Sequence, residues 1–315
     1  MSLILDGTNG ETFPDGSLQA AAASPYVLKN RIINGAMQVW QRGTSGFTSP
    51  SNYSSDRWIV NGGTLSAVGQ STDVPTGFKY SLSVAGSTTP NIIQRIESVN
   101  CTDLSGQSIT VSFWLKQTVG AGSGAIGIVL YYANSTDSFS SITQIGSTNF
   151  ITTTGSWAQY TATFTSLPSN VVNGIEFQLY ATAGTATFLT TGVQLEIGST
   201  ATPFERRLYN QELANCQRYC VVYSGGYSPY LTGQVNSNKI YASVPFAMRT
   251  TPSGTYTSIN ANDTSVSNAI SAITFDGSTG NGVAFNVTST GLTSGRAGVI
   301  LGTGGTSNLI FSAEL

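Results

Sequence analysis

At 315 residues the chain has room for two domains of about 150 residues each. Thirteen Lys plus Arg against fifteen Asp plus Glu leave a net charge of −2, and only 9% of residues are charged where an ordinary globular protein carries about 25%. That balance excludes a basic surface for nucleic acid. The absence of histidine excludes Ser-His-Asp and Cys-His catalysis, an imidazole base and histidine metal sites.

Solubility rests on hydroxyls and amides instead, with 41 Ser, 41 Thr and 35 Gly, a composition of half-buried strands and tight turns. Three cysteines, Cys101, Cys216 and Cys220, are too few for a disulfide framework or a four-cysteine zinc site. The opening Met1 to Asp6 has neither a basic start nor a long apolar run, and no stretch approaches about 18 consecutive apolar residues. We expect no signal peptide and no membrane insertion.

Residues 1–29 hold a turn signal at Pro14-Asp15-Gly16 and an Ala-rich stretch, Leu18 to Ala23, that reads as a short helix. From Arg31 to about Gly198 short strands follow one another between Gly, Ser, Asn and Pro clusters. The clearest is Ile109 to Lys116, with Ile109, Val111, Phe113 and Leu115 on one face and Thr110, Ser112, Trp114 and Lys116 on the other. Tyr80 to Val84, Tyr160 to Phe164 and Ile175 to Tyr180 repeat the alternation. Further strands are expected at Ile32 to Trp40, Asp56 to Val60, Ile92 to Glu97, Ile126 to Tyr132 and Thr187 to Ile197. Such density with no helical periods between means antiparallel sheets packed face to face, a sandwich or a jelly roll.

After Pro203 the pattern changes. Tyr209, Leu213, Cys216 and Cys220 recur at i, i+4, i+7 and i+11, which predicts one helix over Phe204 to Cys220. Strand patterning resumes at Val221, with strands at Lys239 to Phe246, Ser253 to Ile259, Ile270 to Phe275, Val283 to Thr288 and Leu309 to Ala313. The fold class is therefore all-β, a first sandwich followed by a short linker helix and a second, smaller C-terminal β-sandwich. The divisions fall at 1–29, 30–200, 201–220 and 221–315.

Aromatic planes mixed with amides suit sugar rings, whose C–H groups pack on π-faces while their hydroxyls bond amides. Trp114 stands on the polar side of its strand beside Lys116, Tyr180 stands beside Gln178 and Glu176, and Tyr131 or Tyr132 must point away from the core. The glycan-binding candidates are Trp114, Lys116, Tyr132, Glu176, Gln178 and Tyr180, against the plainer reading that these rings are covered by a sheet or a subunit. Glu97, Glu176, Glu196, Glu205 and Glu212 form no recognisable glycosidase pair, and Glu196 and Glu205 fit ion pairs with Arg206 or Arg207. Cys216 and Cys220 read as small apolar residues of the helix stripe rather than a redox pair.

The run Asn30 to Gly43 with Tyr53 and Asp56-Arg57-Trp58 resembles the opening of the jelly-roll domain of bacteriophage tail-fibre and other virion fibre proteins. Gln94 to Glu97, Val111 to Lys116, Trp157 and Gly192 to Gly198 continue the series in order. Thr202 to Arg207 and Glu212 to Tyr219 resemble the family's linker helix, and Val244 to Arg249 with Ile310 to Leu315 its distal β-domain. Thr12 to Gly16 is similar to virion leader segments. The resemblance implies a carbohydrate-binding-module-like jelly roll in a non-enzymatic, usually homotrimeric virion protein that attaches to a host surface glycan. Residues 1–29 would then join it to other virion proteins, of the tail or baseplate rather than the capsid. A structural head fibre without a receptor is the alternative, and a depolymerase is disfavoured by the missing histidine and the absence of a β-helix repeat. Many such modules hold calcium between their first and last strands. Here Ala36-Met37-Gln38 and Gly192-Val193-Gln194 stand where acidic residues are usual, so no cofactor is expected, calcium being the one metal the resemblance leaves open.

Overall fold

The computed structural model describes residues 29–315 apart from 123–124, 151, 153–154, 183, 226–228, 246, 264–265 and 280–281, together with 4–6, 10–12 and 18–19. Alternating apolar residues put one face of each strand inward, so Ile109, Val111, Phe113 and Leu115 are all buried. Two antiparallel sheets close over that face. In spatial order, one runs Ser138–Phe150, Ile126–Ser135, Ile175–Ala181, Asn91–Ile96, Ile59–Asn61, Asn52–Tyr53. The other runs Ala158–Phe164, Ile109–Val119, Ala186–Ile197, Ser81–Ser87, Thr64–Ser71. Strands that follow one another in sequence repeatedly change sheet, which makes this sandwich a jelly roll. Trp58 and Phe177 meet edge-on at 6.1 Å in the core between the sheets.

Two elements beyond residue 29 depart from the sequence pattern. Ile32 to Trp40 forms no strand. Asn34 and Met37 take left-handed backbone, φ 57° and 53°, and the Asn34 side chain replaces a ladder. Its oxygen accepts from the Gln38 and Val39 N–H groups, and its nitrogen donates to the Val39 and Asp56 carbonyls and the Ser55 hydroxyl. Gly35 is required beside it, because a Cβ there would lie 2.1 Å from the Val193 carbonyl oxygen. The second departure is the helix, which spans only Tyr209–Gln217. Leu208 is extended, Tyr209 is exposed, Cys220 opens the next strand, and the helix buries Glu212 and Cys216. The expected stripe fails because buried Glu212, drawn inward by Arg207 and the Asn34 amide, sets the helix's orientation.

Beyond the helix, Cys220–Ser224, Asn308–Ser312 and Ser253–Thr257 make a three-stranded sheet. A seven-stranded sheet runs Ser267–Ala269, Ile259–Asn262, Ala297–Gly302, Pro229–Asn236, Lys239–Val244, Gly282–Thr288, Ala272–Thr279. Their shared core holds Val221, Ile240, Ile300 and Leu309, with Phe285 and Phe311 ring to ring at 4.9 Å. At the other end of the chain Ile4–Asp6, Gly10–Thr12 and Leu18–Gln19 pair antiparallel. Leu18 and Gln19 are thus strand, not the start of a helix; Ala20 to Ala23 and the turn at Pro14 to Gly16 lie outside the described residues.

Candidate functional site

Neutral polar groups and aromatic rings gather on the outer face of the six-stranded sheet. Ile126, Ile128 and Leu130 point into the core and leave Gly127, Val129 and Tyr131 outward; Ile175, Phe177 and Leu179 likewise leave Glu176, Gln178 and Tyr180 outward. The antiparallel register sets these in rows across the face. Tyr131 lies opposite Glu176, which lies opposite Arg95; Asn149 lies opposite Gly127, then Tyr180, then Asn91.

Gly127 decides where Tyr180 goes. A Cβ at 127 would lie 2.6 Å from Tyr180 Cζ and 2.7 Å from its hydroxyl, so the phenol ring crosses the glycine and lies over the neighbouring strand. Its hydroxyl donates to Asn149 Oδ1 at 3.3 Å. The ring is half-buried, a fixed platform rather than a free side chain. Tyr131 stands four residues along the strand from Gly127, a distance of about 13 Å. Burial, and then the charges of Glu176 and Tyr180, push its phenol above the usual range, so it stays a neutral donor. Glu176 is only 2% exposed and accepts from Arg95 Nε at 2.7 Å and Gln178 Nε2 at 2.6 Å. Arg95 also donates to the Leu315 carbonyl at 2.7 Å and lies over the Phe139 ring. The charges of this face therefore cancel internally. What it offers outward is ring surface, a phenol hydroxyl and amides, the groups that bind a neutral polyhydroxyl compound.

The structure brings together three of the expected site residues and separates the others. Glu176, Gln178 and Tyr180 share this face. Tyr132 packs against the core of the sandwich, while Tyr131 takes the outer side; the inward run Ile126, Ile128, Leu130 fixes that parity and was readable in the sequence. Asn149 carried no such signal, because its strand mixes hydroxyl, amide and apolar residues without a regular alternation. Trp114 and Lys116 belong to the five-stranded sheet, on the far side of the sandwich. There Lys116 Nζ pairs with Asp73 at 2.6 Å, and Trp157 Nε1 donates to the same carboxylate at 2.9 Å. Those two bonds hold Asp73 below the ordinary carboxylate range. Trp114 lies against Gly192, whose φ of 64° and missing side chain also admit Phe78, and Phe78 in turn meets Phe204 with Arg206 above both rings.

The remaining motif residues build the joint between the two sandwiches. Arg218 pairs with Glu97 at 2.9 Å, and the Tyr219 hydroxyl donates to the same carboxylate at 2.9 Å. Arg57 lies 3.6 Å above the Tyr219 ring and pairs with Glu314, which Arg42 also reaches at 3.1 Å while holding Asp56. Glu205 pairs with Arg207 at 3.0 Å, and Glu196 lies 3.9 Å from Lys29 and accepts from Thr202. Burial pushes Cys101 and Cys220 up to about 12 and Cys216 well above its ordinary value, so these free thiols are unreactive.

The oxygens between the Asn30 to Trp40 loop and the last strand do not fit calcium. Asn30 Oδ1 accepts from the Ile32 and Leu195 N–H groups and Gln194 Oε1 from Glu205 N–H. A cation is already built in, because the Arg207 guanidinium donates to the Asn30 and Ile32 carbonyls and to Glu205. Among the described residues no group of three or more His, Cys, Asp or Glu side chains could hold a metal.

No family model matches the chain, and no curated protein matches it. Solved structures do resemble part of it. The CBM22-1 xylan-binding domain of Paenibacillus barcinonensis Xyn10C is 15% identical over 50% of this chain and 95% of its own, at a TM-score of 0.35. TmCBM61, solved with β-1,4-galactotriose, is 13% identical over 54% of this chain and all, 100%, of its own, at 0.33. The enzymatically active domain of bacteriophage CBA120 tailspike protein 4 is 16% identical over 54% of this chain and 21% of its own, at 0.37.

Proposed function

We propose that the protein is a glycan-binding adhesin without catalytic activity of its own, carried on a bacteriophage fibre as its receptor-binding part. The observation that carries the glycan reading is the Tyr180 platform laid across Gly127 and bonded to Asn149, with Gln178 and Tyr131 on the same face and no uncompensated charge. A C–H face of a sugar would stack on that ring while its hydroxyls meet the amides. The non-enzymatic reading is supported by the carboxylates: Glu97, Glu176, Glu196, Glu205 and Glu212 each accept from, or pair with, a neighbouring protein group. The virion reading rests on the ordered sequence resemblance. In it residues 1–29 attach the fibre, 30–200 read the glycan, 201–220 link, and 221–315 lie distally. Three copies in a homotrimer would make weak single-site affinity sufficient.

The test is binding of the full-length chain to host cells before and after periodate oxidation, with its mass measured by light scattering. Periodate-sensitive binding by a trimer is the expected result. A trimer that ignores the cells would overturn the receptor reading in favour of a structural fibre, and release of reducing ends from host polysaccharide would overturn the non-enzymatic one.

A further inference from the structure

We infer that the chain carries a second saccharide site, in the groove between its two sandwiches. One wall is Trp40 with Gln41 and Arg42; the other is the outer face of the three-stranded sheet, and the cavity between them has a volume of about 360 Å³. That volume falls within the roughly 300–1,000 Å³ of small-molecule sites, which favour such domain boundaries. On the sheet wall, Val222 and Ile310 are register partners and present a small apolar floor, and Asn308 stands in the next row. Opposite them the Trp40 indole is fixed from behind, its Nε1 donating to the Met37 carbonyl at 2.6 Å and its ring in contact with Phe47.

The charge and the unspent hydrogen bonds select the ligand. Arg42 is the cation of the groove, and both of its terminal nitrogens are engaged, by Asp56 at 3.3 Å and Glu314 at 3.1 Å. A phosphate or an acid would find that charge already cancelled. An apolar ligand would desolvate the side-chain amide of Asn308, which lines the groove at the end of its strand. A neutral polyhydroxyl ring satisfies both conditions, stacking on Trp40 and the Val222 and Ile310 side chains while bonding to Asn308 and the free oxygen of Gln41. The walls are also held in place before any ligand arrives, since Gln41 Nε2 donates to the Cys220 carbonyl at 2.8 Å across the boundary. A preformed site loses little ordering entropy on binding.

The groove and the six-stranded face are separated by two variants of the full-length protein. Tyr180→Ala removes the platform on the sheet. Gly305→Trp places a ring on the lip of the groove at a position where a Cβ meets nothing within 4 Å and the backbone is not left-handed, so folding is undisturbed. Saturation-transfer NMR with glucose, galactose, N-acetylglucosamine and lactose, each at about 10 mM to reach millimolar affinities, reads both sites. Transfer to at least one sugar persists in Tyr180→Ala and drops at least about tenfold when Gly305→Trp is added. If Tyr180→Ala alone abolishes all transfer, the groove proposal is overturned and the sheet face stands. If Gly305→Trp alone abolishes it, the groove stands and the sheet face falls. No transfer to any of the four sugars in the unmodified chain overturns the groove.

Discussion

Gly127→Ala tests the sheet site by moving a ring it does not belong to. The added methyl would sit 2.6 Å from Tyr180 Cζ and 2.5 Å from Asn149 Oδ1. Ordinary contact between carbons begins near 3.5 Å, so the phenol ring must lift by close to an ångström and give up its bond to Asn149. Stacking platforms contribute about 1 to 2 kcal/mol to a bound ring, so affinity for host-surface polysaccharide should fall roughly 5- to 30-fold. Stability should hardly change. The backbone at 127 is not left-handed, and alanine recovers about 0.5 to 1 kcal/mol of strand entropy that offsets the displaced ring. A shift in Tm of less than about 4 °C is expected for a domain of this size. Biolayer interferometry against extracted polysaccharide, with thermal melts alongside, measures both quantities. The decisive comparison is the double variant: once Tyr180→Ala has removed the ring, adding Gly127→Ala should cost nothing more. Wild-type affinity in Gly127→Ala, or an undiminished loss in the double variant, would refute the platform.

Other outcomes follow from the same geometry. Arg207→Met leaves Glu205 and Glu212 without their cation in a half-buried setting, and should destabilise by about 3 to 5 kcal/mol in denaturant titration; chelation by EDTA should leave Tm where it is, because that guanidinium fills the cation's role. Burial raises Asp56 above 3.8 and Glu212 above 4.5, so their stability contribution is complete below those values and is lost as pH rises through the folded pKa. Melts between about pH 4 and 7 should accordingly show a shallower decline with rising pH in Asp56→Asn than in the parent, and an identical slope would count against the assignment. Trp114→Ala should cost less than the roughly 3 to 5 kcal/mol of a fully buried ring, since Trp114 is half-buried, and should leave binding at the six-stranded face intact; lost binding would move the site to the other sheet.

Much of the fold was legible because period-two alternation is a direct image of burial. Tyr80 to Val84, Ile92 to Glu97, Tyr160 to Phe164 and Ile175 to Tyr180 all become strands within three residues of where the pattern ends. Ser138–Phe150 and Thr64–Ser71 were invisible because they are edge strands that bury few side chains, so apolar and polar residues do not alternate along them. Ile32 to Trp40 looked like a strand because its apolar residues are buried, yet Asn30, Asn34 and Gln94 side chains take up its backbone groups. The site was legible by halves. Alternation on one strand put Glu176, Gln178 and Tyr180 on a common face, but which strands neighbour it is a matter of topology. That is why Trp114 and Lys116 were grouped with residues on the opposite side of the sandwich.

The distribution of charge gives the motif series its physical meaning. Among the described residues a chain with so few charges concentrates ion pairs in the linker and where the linker and residue 314 meet the first sandwich: Glu97 with Arg218, Glu314 with Arg42 and Arg57, Glu205 and Glu212 with Arg207. A buried pair with one partner removed costs about 3 to 5 kcal/mol, so these positions tolerate little change. The motifs that stand out in the sequence therefore mark the joint, and the binding faces lie among the unremarkable residues between them. Charge reversal separates the two roles. Glu97→Arg places a second cation beside Arg218 and should loosen the second sandwich, read as faster limited proteolysis between residues 200 and 221, without altering affinity at the Tyr180 platform. Equal loss of both would mean that the platform depends on the joint and that scaffold and site are not separate.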